Sequence, residues 1–167
     1  MSVCCLKFNI NYHRGFSCTV RTIWGSPILG SFPSVFSRET GFFYGHPQNR
    51  FWKVIAELYD CKTPVTKQEK ASLILENRLA LWDVIASCEI SGSSDSSIKN
   101  VIPNEIGALL EKTQITRIFV NGKTAEKYYK KYIEPDIGIT AVCLPSTSPA
   151  NAVFSTERLK EFWGVIR

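Results

Sequence analysis

Short apolar runs that alternate with helical patterns constrain the fold of this chain more than any other feature. Each run closes at a residue that breaks a strand, such as Gly122 or Pro145, and a helical pattern begins soon after it. The predicted strands end near Gly30 and cover residues 115–121 and 137–144, and helices are predicted over residues 124–133 and 156–166. Strands that alternate with helices predict an α/β fold, in which helices cover both faces of a parallel sheet.

Three further helices are predicted between the first strand and residue 115. The first of these helices begins with apolar residues at the spacing of one helix face, namely Phe51, Trp52, Ile55, Leu58 and Tyr59. Thr66, with Glu69 three residues later, predicts a capping box, and the helix after it is expected to run through Leu73 and Leu81 to Ile85. Pro103 is predicted in the first turn of the third helix. The last helix of the chain is expected to turn Leu159, Phe162, Trp163 and Ile166 inward.

The connection between the first predicted strand and the first helix is unusually long. Most such connections are a handful of residues, whereas residues 30–52 read GSFPSVFSRETGFFYGHPQNRFW. Aromatic rings lie there beside uncharged hydrogen-bonding side chains, including Ser34, His46 and Asn49. That combination is suited to a flat polar ligand such as a nucleobase. Ligands of parallel sheets bind at the carboxyl ends of the strands, so this segment and the loop after Pro145 are expected to face one crevice.

Composition narrows the class of protein. The 167 residues are 44% hydrophobic and 21% charged, which predicts one compact domain with a real core. No apolar run is long enough to span a bilayer, and residues 1–25 lack the pattern of a secretory signal. The formal charge of +5 permits a polyanionic partner without requiring one.

The six cysteines predict neither a metal site nor a cofactor. None of them forms a C-x-x-C pair, and the chain has only two histidines, His13 and His46, so a zinc site is not expected. Their scattered spacing also argues against an iron–sulfur cluster. Reduced cysteines indicate the cell interior, and a cytoplasmic location is therefore predicted.

Two segments have both a structural and a functional interpretation. Asn49 is placed to cap the following helix, but its amide could also bond a base edge or a water molecule. The loop LPSTSPAN, residues 144–151, is compatible with an ordinary helix entry. It is equally compatible with a phosphate-binding loop, in which hydroxyls and free backbone amides grip a DNA backbone.

Taken together, these segments resemble the hypoxanthine-DNA glycosylases, the sixth family of the uracil-DNA glycosylase superfamily. The resemblance rests on a first motif, residues 30–52, and a second motif, residues 144–151. The segments LWDVIASC, residues 81–88, and SSIKN, residues 96–100, also look like internal segments of that family. The similarity runs in order over residues 29–166. It implies a three-layer α/β/α sandwich around a mostly parallel sheet, and a monofunctional enzyme that excises hypoxanthine from deoxyinosine-containing DNA.

The resemblance also implies roles for individual residues. Uracil-directed relatives carry a catalytic Asp or Asn in the first motif, where this chain has Phe32, so uracil chemistry by that route is not expected. The catalytic candidates are Asn49 and His46, as a positioning amide and a donor to the leaving base. The candidate base-binding residues are Gly30, Ser31, Phe32, Phe43 and Tyr44. The candidate DNA-binding residues are Ser34, Ser146, Thr147, Ser148 and Asn151.

Two other functions remain open on the sequence. One is a uracil or mismatched-thymine DNA glycosylase with a displaced catalytic group, and the other is a nucleic-acid or nucleotide-binding module without activity. The domain boundaries are predicted as an N-terminal arm, residues 1–26, and a glycosylase domain, residues 27–167. The expected partner is DNA that contains deaminated bases. The protein is expected to act as a monomer near the nucleoid, with no metal, no cofactor and no membrane.

Overall fold

The computed structural model describes residues 3–4, 26–110 and 115–167. Most of the predicted N-terminal arm, residues 1–26, lies outside these ranges. In chain order the strands are β1 Val3–Cys4, β2 Ser26–Gly30, β3 Leu79–Asp83, β4 Ile85–Glu89, β5 Lys99–Pro103, β6 Phe119–Asn121 and β7 Val142–Leu144. The helices are α1 Val35–Thr40, α2 Phe51–Leu58, α3 Lys67–Glu76, α4 Ile106–Leu110, α5 Lys123–Tyr132, α6 Glu134–Ile137 and α7 Thr156–Trp163.

The central sheet has the order β3-β2-β6-β7, and every neighbouring pair in it is parallel. The predicted parallel sheet is therefore confirmed. Pro27 is tolerated in the central strand β2 because it stands at the start of that strand, and pairing with β6 begins only at Ile28. A smaller antiparallel sheet, in the order β1-β4-β5, continues directly from the end of β3.

Alternating residues of the central strands supply two separate cores. Ile28 and Phe119 point to one face, where they pack with residues of α2, α3 and α7. Leu29 and Val120 point to the other face, which α4, α5 and the small sheet cover. Because both faces of a parallel sheet must be covered, this alternation produces the three-layer arrangement. Among the helices of the described ranges, none is long and apolar enough to cross a membrane.

The capping box is confirmed, whereas the helix predicted to reach Ile85 is wrong. The Thr66 hydroxyl accepts from the Glu69 amide at 3.1 Å, and the Glu69 carboxylate accepts from the Thr66 amide at 2.9 Å. The helix ends at Glu76, and Arg78 adopts a left-handed conformation with a φ of 52°. The chain then enters β3, whose buried and half-buried residues alternate as a strand requires.

Three smaller differences concern helix and strand ends. Pro103 ends β5, and the helix predicted around it begins only at Ile106. The strand predicted over residues 137–144 is shorter, since α6 extends to Ile137 and β7 covers Val142–Leu144. Phe162 is 48% exposed rather than inward, whereas Leu159, Trp163 and Ile166 are buried as predicted.

Candidate functional site

The carboxyl ends of the four parallel strands surround a cleft of about 340 Å³. The strands β2, β3 and β6 end at Gly30, Asp83 and Asn121, and each of these residues lines the cleft. The loop that follows β7 closes the fourth side with residues 146–150. A volume of this size is within the range of small-ligand sites, and the edge of the sheet is the one at which such ligands bind.

The cleft brings together nearly all the site residues predicted from the sequence. Those that line it are Gly30, Ser31, Phe32, Ser34, Phe43, Tyr44, His46, Asn49, Ser146, Thr147 and Ser148. Asn151 is the exception. Its amide nitrogen donates to the Ser146 carbonyl at 2.9 Å, so its side chain shapes the loop instead of lining the cleft. The expected meeting of the first and second motifs at one crevice is thus observed.

Asn49 combines the two interpretations that the sequence left open. Its Oδ1 accepts a hydrogen bond from the Phe51 amide at 3.0 Å at the beginning of α2, which is a capping contact. That bond fixes the orientation of the side-chain amide, because the oxygen must face the N–H group. Within the described ranges Nδ2 donates to no protein group, and it remains on a residue that lines the cleft. The Asn49 amide is therefore an oriented hydrogen-bond donor on a residue of the cleft wall.

The ring of His46 is also oriented. Its Nδ1 accepts from the Gln48 amide at 3.2 Å, and the ring meets Phe36 edge-on with centroids 5.9 Å apart. A neutral imidazole that accepts at Nδ1 carries its proton on Nε2. His46 therefore presents a second N–H donor to the cleft that it lines.

The aromatic residues of the first motif differ in what they can offer a base. Phe32 and Phe43 are half-buried and line the cleft, so both present ring surface to it. Tyr44 is different, because one face of its ring already stacks on Phe51 at 4.0 Å and 21°. Its hydroxyl is buried and, with respect to the described residues, makes no hydrogen bond of acceptable geometry. Tyr44 is thus more suited to polar recognition through Oη than to stacking.

Arg50, which the sequence-based site prediction did not include, ties the two motifs together. Its Nη2 donates to the carbonyls of Ser148 and Asn151 at 2.7 and 2.8 Å, and its Nη1 donates to the Phe154 carbonyl. The Arg50 amide donates to the Thr147 carbonyl at 3.1 Å. A partly buried guanidinium that donates to several carbonyls holds a loop rigidly, and the second motif is therefore fixed relative to α2.

Two of the residues predicted to bind DNA have structural partners instead. Thr147 is fully buried, and its hydroxyl and amide bond the two ends of the Asn121 side chain at 2.9 and 3.0 Å. The Ser34 hydroxyl caps α1 by accepting from the Ser37 amide at 3.2 Å. These bonds explain how the motifs hold their shape. The Ser146 and Ser148 hydroxyls accept from the amides of Ser148 and Ala150 at 3.2 and 3.3 Å, and each keeps an O–H group that can donate to a phosphate.

Asp83 is the principal residue of the cleft that the sequence-based prediction missed. It stands at the end of β3 in register with Gly30, and only 7% of it is exposed. Burial raises the pKa of its carboxyl from an ordinary value of 3.8 to about 7. Burial of the Tyr44 hydroxyl raises its pKa well above the ordinary value of 10, and the negative charge of Asp83 raises it further. The Asn121 side-chain amide acts in the opposite direction and lowers this pKa. The Tyr44 hydroxyl is therefore protonated at neutral pH.

Gly30 is required where it stands because of Asp83. A Cβ atom on Gly30 would lie 2.2 Å from Asp83 Oδ1, which is closer than non-bonded atoms can approach. The Tyr44 hydroxyl oxygen is 3.3 Å from the same position. The bare backbone of β2 thus makes room for a carboxyl and a phenol side by side at the floor of the cleft.

Similarity to known proteins extends over the whole cleft. A family model described as the uracil DNA glycosylase superfamily matches residues 27–167. This chain belongs to the uracil DNA glycosylase superfamily. The superfamily predicted from the two motifs is thereby confirmed, and the matched range contains every cleft residue described above.

The relatives within the superfamily agree with the resemblance seen in the motifs. A hypoxanthine DNA glycosylase of Methanosarcina acetivorans is 32% identical over 159 residues, covering 92% of this chain and 98% of that relative. A hypoxanthine DNA glycosylase of Methanosarcina barkeri is 29% identical over 126 residues, covering 74% and 78%. The solution NMR structure of a candidate uracil DNA glycosylase from Methanosarcina acetivorans has a TM-score of 0.75 at 30% identity, over 89% of this chain and 92% of that one.

Proposed function

We propose that this chain is a monofunctional DNA glycosylase that hydrolyses the N-glycosidic bond of deoxyinosine in DNA and releases hypoxanthine. The observation that carries the proposal is the meeting of the first and second motifs around one cleft at the strand ends. Both of the Methanosarcina relatives compared above are hypoxanthine DNA glycosylases, and they match most of the chain. The activity belongs to base excision repair, since an abasic site is left for later enzymes.

The cleft is suited to a base that has left the duplex. A base inside the stack cannot be reached, so the nucleotide has to rotate out into the protein. Stacking on the ring surface of Phe32 or Phe43 would stabilise the everted base by about 1–3 kcal/mol, which is comparable to the loss of stacking in DNA. Deaminated adenine pairs poorly with thymine, and that further favours eversion of the damaged base.

The two oriented donors fit the chemistry of the proposed reaction. Cleavage leaves the bonding electron pair on the departing purine, while the sugar carbon gains positive character until water adds to it. Water supplies its hydroxyl to the sugar carbon, and its proton balances the charge of the purine. Asn49 Nδ2 and His46 Nε2 are N–H donors on the cleft wall, and donors fixed before the reaction stabilise developing negative charge strongly.

The DNA backbone would follow the rim of the cleft beside the second motif. The O–H groups of Ser146 and Ser148 are the donors best placed to bond phosphates there. The formal charge of +5 favours the approach of a polyanion. A monomeric state and association with the nucleoid accompany this proposal as predictions.

One assay separates the candidate functions. Purified protein is incubated with duplexes that contain inosine, uracil or a G·T mismatch, and abasic sites are detected by alkaline cleavage. Cleavage confined to inosine would support the proposal. Cleavage of uracil or thymine instead would favour the alternative glycosylase, and binding without cleavage would favour the non-catalytic module.

Two substitutions at Asn49 test its part in the reaction. Asn49→Ala removes both the cap and the donor, whereas Asn49→Asp retains an oxygen for the Phe51 amide and removes the donor. Both should lower the single-turnover rate on inosine by at least about 100-fold, which is typical for the loss of one fixed donor. A near-normal rate in Asn49→Ala would refute the assigned role. A near-normal rate in Asn49→Asp alone would show that Asn49 orients water rather than donating to the base.

A further inference from the structure

The Asp83 carboxyl is a buried acidic group of the cleft to which the proposed reaction gives no role. Its backbone is anchored, since the Asp83 carbonyl accepts from Asn104 Nδ2 at 2.7 Å. Its side chain lines the cleft, and within the described ranges the hydrogen bonds of Asp83 run through its backbone; 7% of the residue is exposed. Buried polar groups are nearly always hydrogen bonded, and one that lacks a partner in the free protein is available to a ligand.

The Tyr44 hydroxyl is placed beside this carboxyl. Both Asp83 Oδ1 and Tyr44 Oη lie within 3.3 Å of one point, the position that a Cβ atom on Gly30 would occupy. The stacking on Phe51 holds the Tyr44 ring in place. Tyr44 and Asp83 both line the cleft. The floor of the cleft therefore carries a hydroxyl that can donate next to a carboxyl that can accept.

This pair matches the edge of a deaminated purine. Hypoxanthine presents a carbonyl oxygen at position 6 next to an N–H group at position 1. Adenine presents the reverse, an amino group next to a nitrogen with a bare lone pair. A carboxylate only accepts hydrogen bonds, whereas a tyrosine hydroxyl can donate. A carboxylate therefore attracts the N1–H of hypoxanthine and repels the lone pair of adenine N1.

We propose that Asp83 and Tyr44 read the Watson–Crick edge of the everted base, with Asp83 accepting from N1–H and the Tyr44 hydroxyl donating to O6. This inference rests on the proposed function and adds a determinant of specificity to it. Its consequence is rejection of adenine, whose edge has the opposite arrangement of donor and acceptor. A site that must bond a particular group discriminates strongly against an analogue without that group, because its own buried atoms are left unpaired.

The two residues can be tested separately with a pair of bases. The first substrate contains inosine, and the second contains 2′-deoxynebularine, whose purine has a bare N1 and no oxygen at position 6. Single-turnover excision rates of both are measured on duplexes of identical sequence at about pH 8. The ratio of the two rates reports recognition of the edge, and it does not change when a variant merely contains less folded protein.

Each substitution is expected to change a different rate. In Asp83→Asn the side-chain amide can turn its NH₂ group toward N1, so the rate on nebularine should rise relative to inosine by about 10- to 100-fold. In Tyr44→Phe the rate on inosine should fall by about 10- to 100-fold and the rate on nebularine should change little. Asp136→Asn is the matched control, because Asp136 is exposed and does not line the cleft.

The outcomes distinguish this inference from the proposed function. If the unchanged protein does not excise hypoxanthine, both proposals are overturned. If it does, but the rate ratio in Asp83→Asn equals that of Asp136→Asn, the reading of N1–H by Asp83 is overturned while the glycosylase activity stands. If Tyr44→Phe lowers both rates equally, the contact between Tyr44 and O6 is overturned.

Discussion

Replacing Asp83 by asparagine should change how the stability of the protein depends on pH. Burial raises the pKa of this carboxyl in the folded state from 3.8 to about 7. Between these values the folded protein retains the proton and the unfolded chain has released it. Stability therefore falls as pH rises from about 4 to about 7, and it levels off at higher pH. Above that window the loss for this one group amounts to about 4 kcal/mol.

Asparagine has nearly the same shape and does not titrate, so the variant should lack this loss. The free energy of unfolding of Asp83→Asn, minus that of the unchanged protein, should grow by about 1.4 kcal/mol per pH unit across the window. All other titrating groups are the same in the two proteins and cancel in the difference. A constant offset from the desolvation of the new amide does not alter the slope.

Urea denaturation followed by the fluorescence of the four tryptophans measures this difference. The experiment is repeated at several pH values between 4.5 and 8.5 for Asp83→Asn, for the unchanged protein and for Asp136→Asn, which alters an exposed carboxylate away from the cleft. Parallel stability curves for Asp83→Asn and the unchanged protein would refute the argument that burial raises this pKa. A slope of the same size in Asp136→Asn would show that burial is not its cause.

Three further substitutions test other contacts. Gly30→Ala should force the Asp83 carboxyl from its place, lower stability by about 1–3 kcal/mol in urea denaturation, and reduce inosine excision; unaltered excision would contradict the close approach. Arg50→Ala should lose about 3 kcal/mol by the same measurement, since partly buried carbonyls lose a charged donor, whereas Lys53→Ala on the exposed side of the same helix should stay within about 0.5 kcal/mol. Thr66→Ala should lower the free energy of unfolding by about 1 kcal/mol. An unchanged free energy of unfolding would show that the capping box does not contribute to stability.

The layered fold was predictable because strands and helices place their apolar residues at different spacings in the sequence. The alternation of apolar runs with helical patterns survives in β6, α5, β7 and α7, and the breaks at Gly122 and Pro145 mark the strand ends. The short apolar stretch of β3 was not separable from a helix, because runs of that length fit both. The turn at Arg78 decides the matter, and a left-handed arginine has no signature in the sequence.

The cleft was predictable where a residue type was itself informative, and was missed where only the fold supplies the information. His46 and Asn49 lie in a loop in which aromatic and uncharged hydrogen-bonding residues together predict a ligand site, and both line the cleft. The sequence pattern places Asp83 within a predicted helix and so does not identify it, although an acid at the end of an alternating strand is a detectable signal. Arg50 could not be recognised, since its partners are backbone carbonyls about a hundred residues away and no sequence pattern records them.

The contact between Gly30 and Asp83 restricts how this lineage can evolve. The two residues are register partners in hydrogen-bonded strands, so the backbones cannot move apart to admit a new methyl group. A descendant that gains a side chain at position 30 must displace the carboxyl at position 83, with a loss of stability, or shorten that side chain in the same step. Any preference among bases that resides at position 83 is therefore inherited together with the glycine opposite, and a change of substrate would require paired substitutions.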